Sequence, residues 1–117
     1  MTELERSHAH MVLSLAKDGN AIINDLTPET AHNLHMAVGI AGEAGELCNK
    51  IKKMMRDGLT KEELRDTIKG EISDCMWYVA ALATEFNLSF SDILSFNLNK
   101  LYDRKERGVI SGSGDNR

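Results

Sequence analysis

Apolar residues recur at helical spacing along almost the whole chain, and the alternation of β-branched residues that is typical of strands is absent. This pattern predicts an all-α fold of four helices. We expect the helices over residues 2–17, 28–56 and 60–86, and a fourth that starts at Ser89 or Ser91 and ends near residue 105. Residues 106–117 are rich in glycine and serine and are expected to form an irregular tail.

Start signals support these boundaries. Thr2 with Glu5 and Thr60 with Glu63 have the spacing of capping boxes, in which two side chains satisfy the first free N–H groups of a helix. A threonine–proline pair at 27–28 is typical of an N-cap followed by the first helical residue.

Composition narrows the functional classes. A length of 117 residues suits one domain, taken as residues 1–117. Its hydrophobic core would be modest, and dimerisation would help to complete it. The formal net charge is −4, so the chain gives no sign of a basic surface for duplex nucleic acid. We expect a cytoplasmic protein without membrane contact, because the polar start is no signal peptide and no apolar run approaches the roughly 20 residues of a membrane helix. Cys48 and Cys75 are expected to be buried free thiols.

Two acidic pairs occupy matching places on the second and third helices: Glu43 with Glu46, and Glu71 with Asp74. Residues three apart lie one above the other on a helix, so each pair can converge on one ion. Both pairs are expected on the flanks of apolar stripes, so that packing of the two helices would bring four carboxylates together. The stripes consist of Ala37, Ile40, Ala44, Leu47 and Ile51 on the second helix and Ile68, Ile72, Cys75, Val79 and Phe86 on the third.

Four close carboxylates repel one another unless a cation lies among them. Their hard oxygen donors favour Mg²⁺, or Mn²⁺ in its place, over zinc. The alternative is that they are ordinary solvated side chains, forming pairs such as Glu46 with Lys50. Glycine is costly inside a helix, so glycines beside the pairs indicate the close approach of a ligand or of another helix. These are Gly39, Gly42, Gly45 and Gly70.

The two pairs resemble the hallmark of the MazG-type all-α nucleotide pyrophosphohydrolases, E-x-x-E followed after a loop by E-x-x-D. Here it reads GEAGEL at residues 42–47 and GEISDCMWY at residues 70–78. The resemblance extends to an N-x-x-K-L-x-x-R motif at residues 97–104 and to the RKERGVISGSGD tail. It implies a four-helix MazG-like bundle, completed by dimerisation, that works as a homodimer or as a tetramer.

The resemblance also implies an activity: hydrolysis of a (d)NTP to a nucleoside monophosphate and pyrophosphate, with a role in cleansing nucleotide pools. Glu43, Glu46, Glu71 and Asp74 would then be catalytic and would hold Mg²⁺. Among them, Glu46 is our candidate for orienting the attacking water.

Asn97, Lys100 and Arg104 share one face of the fourth helix and are candidates for substrate binding. Lysine offers a point charge to a phosphate and arginine a planar fork. The alternative is an ordinary basic C-terminal half, which is favourable to the helix dipole.

Three aromatic or imidazole side chains are further candidates for substrate binding. Tyr78 continues the line of the second acidic pair, and His35 lies two turns before the first. Trp77 is expected to be exposed, either as a stacking platform for a base or as part of a subunit interface.

Two other functions fit parts of the pattern. A ferritin-like di-iron bundle needs E-x-x-H pairs, and neither acidic pair has histidine at its fourth position. The second alternative is a non-catalytic helical module that binds a nucleotide or a protein partner. The complete set of four carboxylates argues against it.

Overall fold

The computed structural model describes residues 1–114, and residues 115–117, the end of the expected tail, lie outside the described part. The described residues form five α-helices and no strand, which confirms the all-α prediction. The helices are α1 (Glu3–Leu15), α2 (Gly19–Asp25), α3 (Pro28–Asp57), α4 (Lys61–Glu85) and α5 (Phe90–Glu106).

Capping side chains set the helix starts. The predicted capping boxes are present at Thr2 and Thr60, and a third begins α5 at Ser89. The structure adds the short helix α2, where the sequence analysis assigned no element. Its N-cap is Asp18, whose carboxylate accepts a hydrogen bond from the Ala21 N–H at 3.0 Å, as N-cap side chains do.

The chain divides into two compact units, Met1–His32 and a second that begins at Asn33. In the first unit, an ion pair joins Lys17 to Asp25, at the two ends of the α2 region. The second unit holds both acidic pairs. That the whole chain is one domain stays a prediction.

In the second unit, α3 and α4 run antiparallel, joined by residues 58–60, and meet along a seam of shielded side chains. The seam positions on each helix are alternately four and three residues apart, the spacing that keeps one face of a helix against a partner. They are Met36, Ile40, Glu43, Leu47, Lys50 and Met54 on α3, and Leu64, Ile68, Glu71, Cys75, Tyr78 and Leu82 on α4.

The predicted apolar stripes agree only in part with the seam that the structure shows. Ile40, Leu47, Ile68 and Cys75 do lie in it. The other predicted positions are exposed because each predicted stripe combined two neighbouring stripes of apolar residues, and only one of them faces the partner helix. The exposed positions are Ala37, Ala44, Ile51, Ile72, Val79 and Phe86.

The start of α5 approaches the end of the α3–α4 pair. Ile40 of α3 and Ile93 of α5, together with Phe86, help to line an apolar pocket of about 200 Å³. The Leu88 N–H donates to the Ala83 carbonyl oxygen at 2.8 Å and so closes the end of α4. After α5 the described tail, up to Gly114, contains no helix or strand, as predicted. Within residues 1–114, every helix is too short or too polar to cross a membrane.

Candidate metal centre

Three of the four predicted carboxylates meet where α3 packs on α4. Oxygens of Glu43, Glu71 and Asp74 lie within 4.8 Å of one another. Glu43 and Glu71 are half-buried because both occupy seam positions, whereas Asp74 is exposed. The structure therefore places two of the carboxylates in the helix contact itself, rather than on its flank as expected.

Glu46 is not part of this group of three. It is exposed and lies one turn beyond Glu43, on the same side of α3 as Gly39 and Gly42. On α4, Asp74 lies one turn after the seam residue Glu71 and is likewise exposed. Glu46 therefore lies one turn from the three gathered carboxylates and, like Asp74, is exposed to solvent.

A lysine contributes a positive charge to the centre. The Lys50 ammonium lies 3.5 Å from Glu71 Oε1, and their side chains are 31% and 16% exposed. From the sequence alone, Lys50 is expected only as a surface partner of Glu46. The signal that could have identified it is its spacing, since Lys50 lies seven residues after Glu43 and therefore on the same face of α3.

An aromatic layer lies one helical turn from the carboxylates. Tyr78 follows Asp74 by four residues, and its ring packs against Gly39, where an added Cβ would lie 2.2 Å from Tyr78 Cε1. The His35 ring lies edge-on to Tyr78 with centroids 6.4 Å apart, and Trp77 does the same at 4.9 Å. The structure thus brings together the three ring-bearing residues that the sequence indicated as candidates for substrate binding.

The glycines near the acidic pairs differ in what surrounds them. Gly39 is in close contact with a neighbouring side chain, which fits the helix-packing alternative. A Cβ added at Gly42, Gly45 or Gly70 would meet no atom of the described residues within 4 Å, apart from its own helix and chain neighbours. Room for a ligand or a partner therefore remains at these three positions.

The proposed phosphate-binding residues of α5 differ in exposure. Asn97 is exposed and Lys100 half-buried, with its ammonium 5.8 Å from the centre of the Phe96 ring. Arg104 is only 6% exposed. Lys100 is therefore better placed than Arg104 to meet a ligand from solvent.

The cysteines lie on the same two helices and neither is in a disulfide. Cys75 is half-buried in the seam, but Cys48 is exposed. The prediction that Cys48 is buried was wrong, because that position belongs to the apolar stripe of α3 that the single chain leaves uncovered.

The donor set suits a divalent cation with a preference for oxygen. Glu43, Glu71 and Asp74 offer carboxylate oxygens close enough to converge on one ion, and Mg²⁺ is bound by few carboxylates together with water and phosphate oxygens. The chemistry available to such a site is the polarisation and charge neutralisation of a phosphate.

Comparison with known proteins adds a family match over this region. The family model described as the MazG nucleotide pyrophosphohydrolase domain matches residues 31–109. The "Gene 37 protein" of Mycobacterium phage L5 is 51% identical to the chain over 85 residues, which cover 71% of this chain and 75% of that protein. No solved structure shows significant similarity to the chain.

Proposed function

Because the chain belongs to the MazG nucleotide pyrophosphohydrolase family, we propose that it hydrolyses nucleoside triphosphates in a Mg²⁺-dependent reaction. The substrate would be a (d)NTP, and the products would be the nucleoside monophosphate and pyrophosphate. The role that follows is the cleansing of nucleotide pools.

The observation that carries this proposal is the convergence of Glu43, Glu71 and Asp74 on one point between two helices. Glu43 is distant in sequence from Glu71 and Asp74, and Glu43 and Glu71 are half-buried at positions where a helix contact normally holds apolar side chains. Carboxylates gathered in such a place are more readily explained by a bound cation than by solvation alone.

The metal would supply one element of the chemistry, the neutralisation of charge on the phosphate oxygens. The three gathered carboxylates would hold the metal. Glu46, which lies outside the group and is exposed, would accept a hydrogen bond from the attacking water and orient the water oxygen toward the α-phosphorus. As the water oxygen bonds to the α-phosphorus and the water proton passes to Glu46, the bond from the α-phosphorus to the oxygen that bridges it to the β-phosphorus would break and pyrophosphate would leave.

Other residues would hold the substrate. We propose that Tyr78, with His35 and Trp77 beside it, contacts the base, because this layer adjoins the carboxylates. Lys100 would contact the outer phosphates and Asn97 would assist it. Arg104 is buried on the same face of α5, and it would also contribute positive charge to the binding of the phosphates.

The test is the replacement of a carboxylate by its amide. Glu43→Gln and Asp74→Asn should each lower Mg²⁺-dependent turnover of a dNTP by at least the roughly 10–100-fold that outer-shell partners of metal ligands typically cost. Helical circular dichroism should persist, because the amide has nearly the same shape. Glu62→Gln, in the exposed first turn of α4, is the matched control and should retain full activity.

Full activity in both site variants would remove the basis of the assignment. Binding of a dNTP and Mg²⁺ by the unaltered chain without any hydrolysis would instead indicate a non-catalytic nucleotide-binding module.

A further inference from the structure

Lys50 occupies an unusual place for a lysine. It lies in the α3–α4 seam, and its side chain is 31% exposed, whereas its neighbours Lys52 and Lys53 are exposed to solvent. Lysine usually keeps its ammonium in water, and taking it into a helix contact is unfavourable unless an opposite charge is close. Lys50 therefore requires a partner within the seam.

That partner is Glu71, whose own side chain is still less exposed, at 16%. The distance of 3.5 Å between Lys50 Nζ and Glu71 Oε1 is that of an ion pair. Glu71 is also a member of the carboxylate group with Glu43 and Asp74. One carboxylate therefore serves both the lysine and the candidate metal centre.

We propose that Lys50 is a resident counter-ion of the carboxylate group, which competes with the divalent cation for Glu71 and so sets the affinity of the site for Mg²⁺. This inference rests on the proposed function, because it takes the group to be a metal site. In the metal-free chain the ammonium offsets part of the repulsion among the three carboxylates. A metal ion that binds there would be repelled by the positive charge of Lys50, and its contact with Glu71 would replace the ion pair between Glu71 and Lys50.

The direction of the effect follows from electrostatics. Removing a positive charge beside the site strengthens its attraction for a cation. The site is partly exposed, so solvent weakens the interaction well below its value in a dry interior. We expect the dissociation constant for Mg²⁺ to fall by about tenfold when the charge is removed, which corresponds to a difference of about 1.4 kcal/mol.

The experiment is titration of the full chain with Mg²⁺ in an isothermal calorimeter, without nucleotide. Lys50→Met, which keeps the length of the side chain and removes its charge, should bind Mg²⁺ about tenfold more tightly than the unaltered chain. Lys50→Arg keeps the charge and should stay close to the unaltered chain. Lys52→Met removes an exposed charge from the same helix and is the matched control, expected to change little.

A second readout guards against variants that fold poorly. The rise in melting temperature on adding a fixed concentration of Mg²⁺ should be larger for Lys50→Met, and for Lys50→Gln, than for the unaltered chain. An equal or smaller rise, together with unchanged or weaker binding, would overturn the inference while leaving the metal site in place. Failure of the unaltered chain to bind Mg²⁺ at all would overturn both the proposed function and the role of Lys50.

Discussion

At the residue scale, the contact between Gly39 and Tyr78 fixes the aromatic layer beside the carboxylates. Gly39 lies one turn before Glu43, and Tyr78 lies one turn after Asp74. The missing Cβ of Gly39 lets the tyrosine ring lie against the α3 backbone, since an added Cβ would come within 2.2 Å of it. The position of the Tyr78 ring therefore depends on the absence of a side chain at Gly39.

We predict that Gly39→Ala destabilises the chain by about 1–3 kcal/mol, the usual cost of overpacking. The clash should outweigh the gain in helix propensity of up to about 1 kcal/mol. Urea unfolding measures the effect. Gly42→Ala is the control, since an added Cβ there meets no described atom within 4 Å beyond its own helix and chain neighbours, and it should be neutral or slightly stabilising.

A double-mutant cycle makes this prediction specific to the tyrosine. In a Tyr78→Ala background the ring is gone, so the added cost of Gly39→Ala should disappear. If Gly39→Ala were equally destabilising in both backgrounds, the ring would not be the cause.

At the element scale, the α3–α4 pair shows how far the sequence could be interpreted. The boundaries of the four longer helices were predictable to within about two residues because capping boxes and turn residues act locally, whereas the short helix α2 was missed. The rotation of each helix was not, because α3 carries two neighbouring apolar stripes and periodicity alone cannot tell which one faces α4. That ambiguity placed Glu43 and Glu71 on a flank and gave Lys50 only the role of a surface partner of Glu46, although the acidic pairs themselves were identified from their spacing.

The cap of α4 gives a prediction at the same scale. Thr60 Oγ1 accepts from the Glu63 N–H at 3.2 Å, and the Thr60 N–H donates to Glu63 Oε2 at 2.8 Å. Thr60→Ala should cost about 1 kcal/mol of stability, as the loss of an N-cap usually does. Thr60→Ser keeps the hydroxyl and should cost much less, and thermal unfolding distinguishes the two.

The same cap makes stability depend on pH. Hydrogen bonds from the backbone and the side chain of Thr60 hold the pKa of Glu63 below its ordinary value. Because the pKa of Glu63 is lower in the folded state, the stabilisation that its ionised form provides is present above the pKa of the unfolded state. This stabilisation is lost as pH falls through the pKa of the folded state. Glu63→Gln should therefore remove part of the acid-induced loss of stability seen by thermal unfolding between neutral pH and about pH 3. An unchanged pH profile would contradict this.

At the scale of the whole molecule, the main feature is apolar surface left uncovered on α3 and α4. Among the described residues, the buried hydrophobic side chains are Met36, Leu64 and Ala83. A monomer rarely exposes a continuous apolar stripe of this length, so a partner is expected to cover it. On α3 the stripe consists of Leu34, Ala37, Ala41, Ala44, Cys48, Ile51 and Met55, all exposed and alternately three and four residues apart.

We predict that a second copy of the chain covers this stripe, giving a homodimer or a tetramer. Sedimentation at micromolar concentration should show the assembly, and Ile51→Glu should shift it toward the monomer by placing a charge in the interface. Asn49→Glu adds the same charge on the other side of α3 and should leave the assembly intact. A fully active monomer would contradict the prediction.

Attack at the α-phosphorus is tested by following an oxygen label from water into the products. The chain is incubated with a dNTP and Mg²⁺ in water enriched in heavy oxygen, and the products are identified by mass spectrometry. Attack at the α-phosphorus predicts labelled dNMP and unlabelled pyrophosphate. Release of dNDP with labelled orthophosphate would show that the terminal phosphate is the one attacked, and would contradict the proposed function.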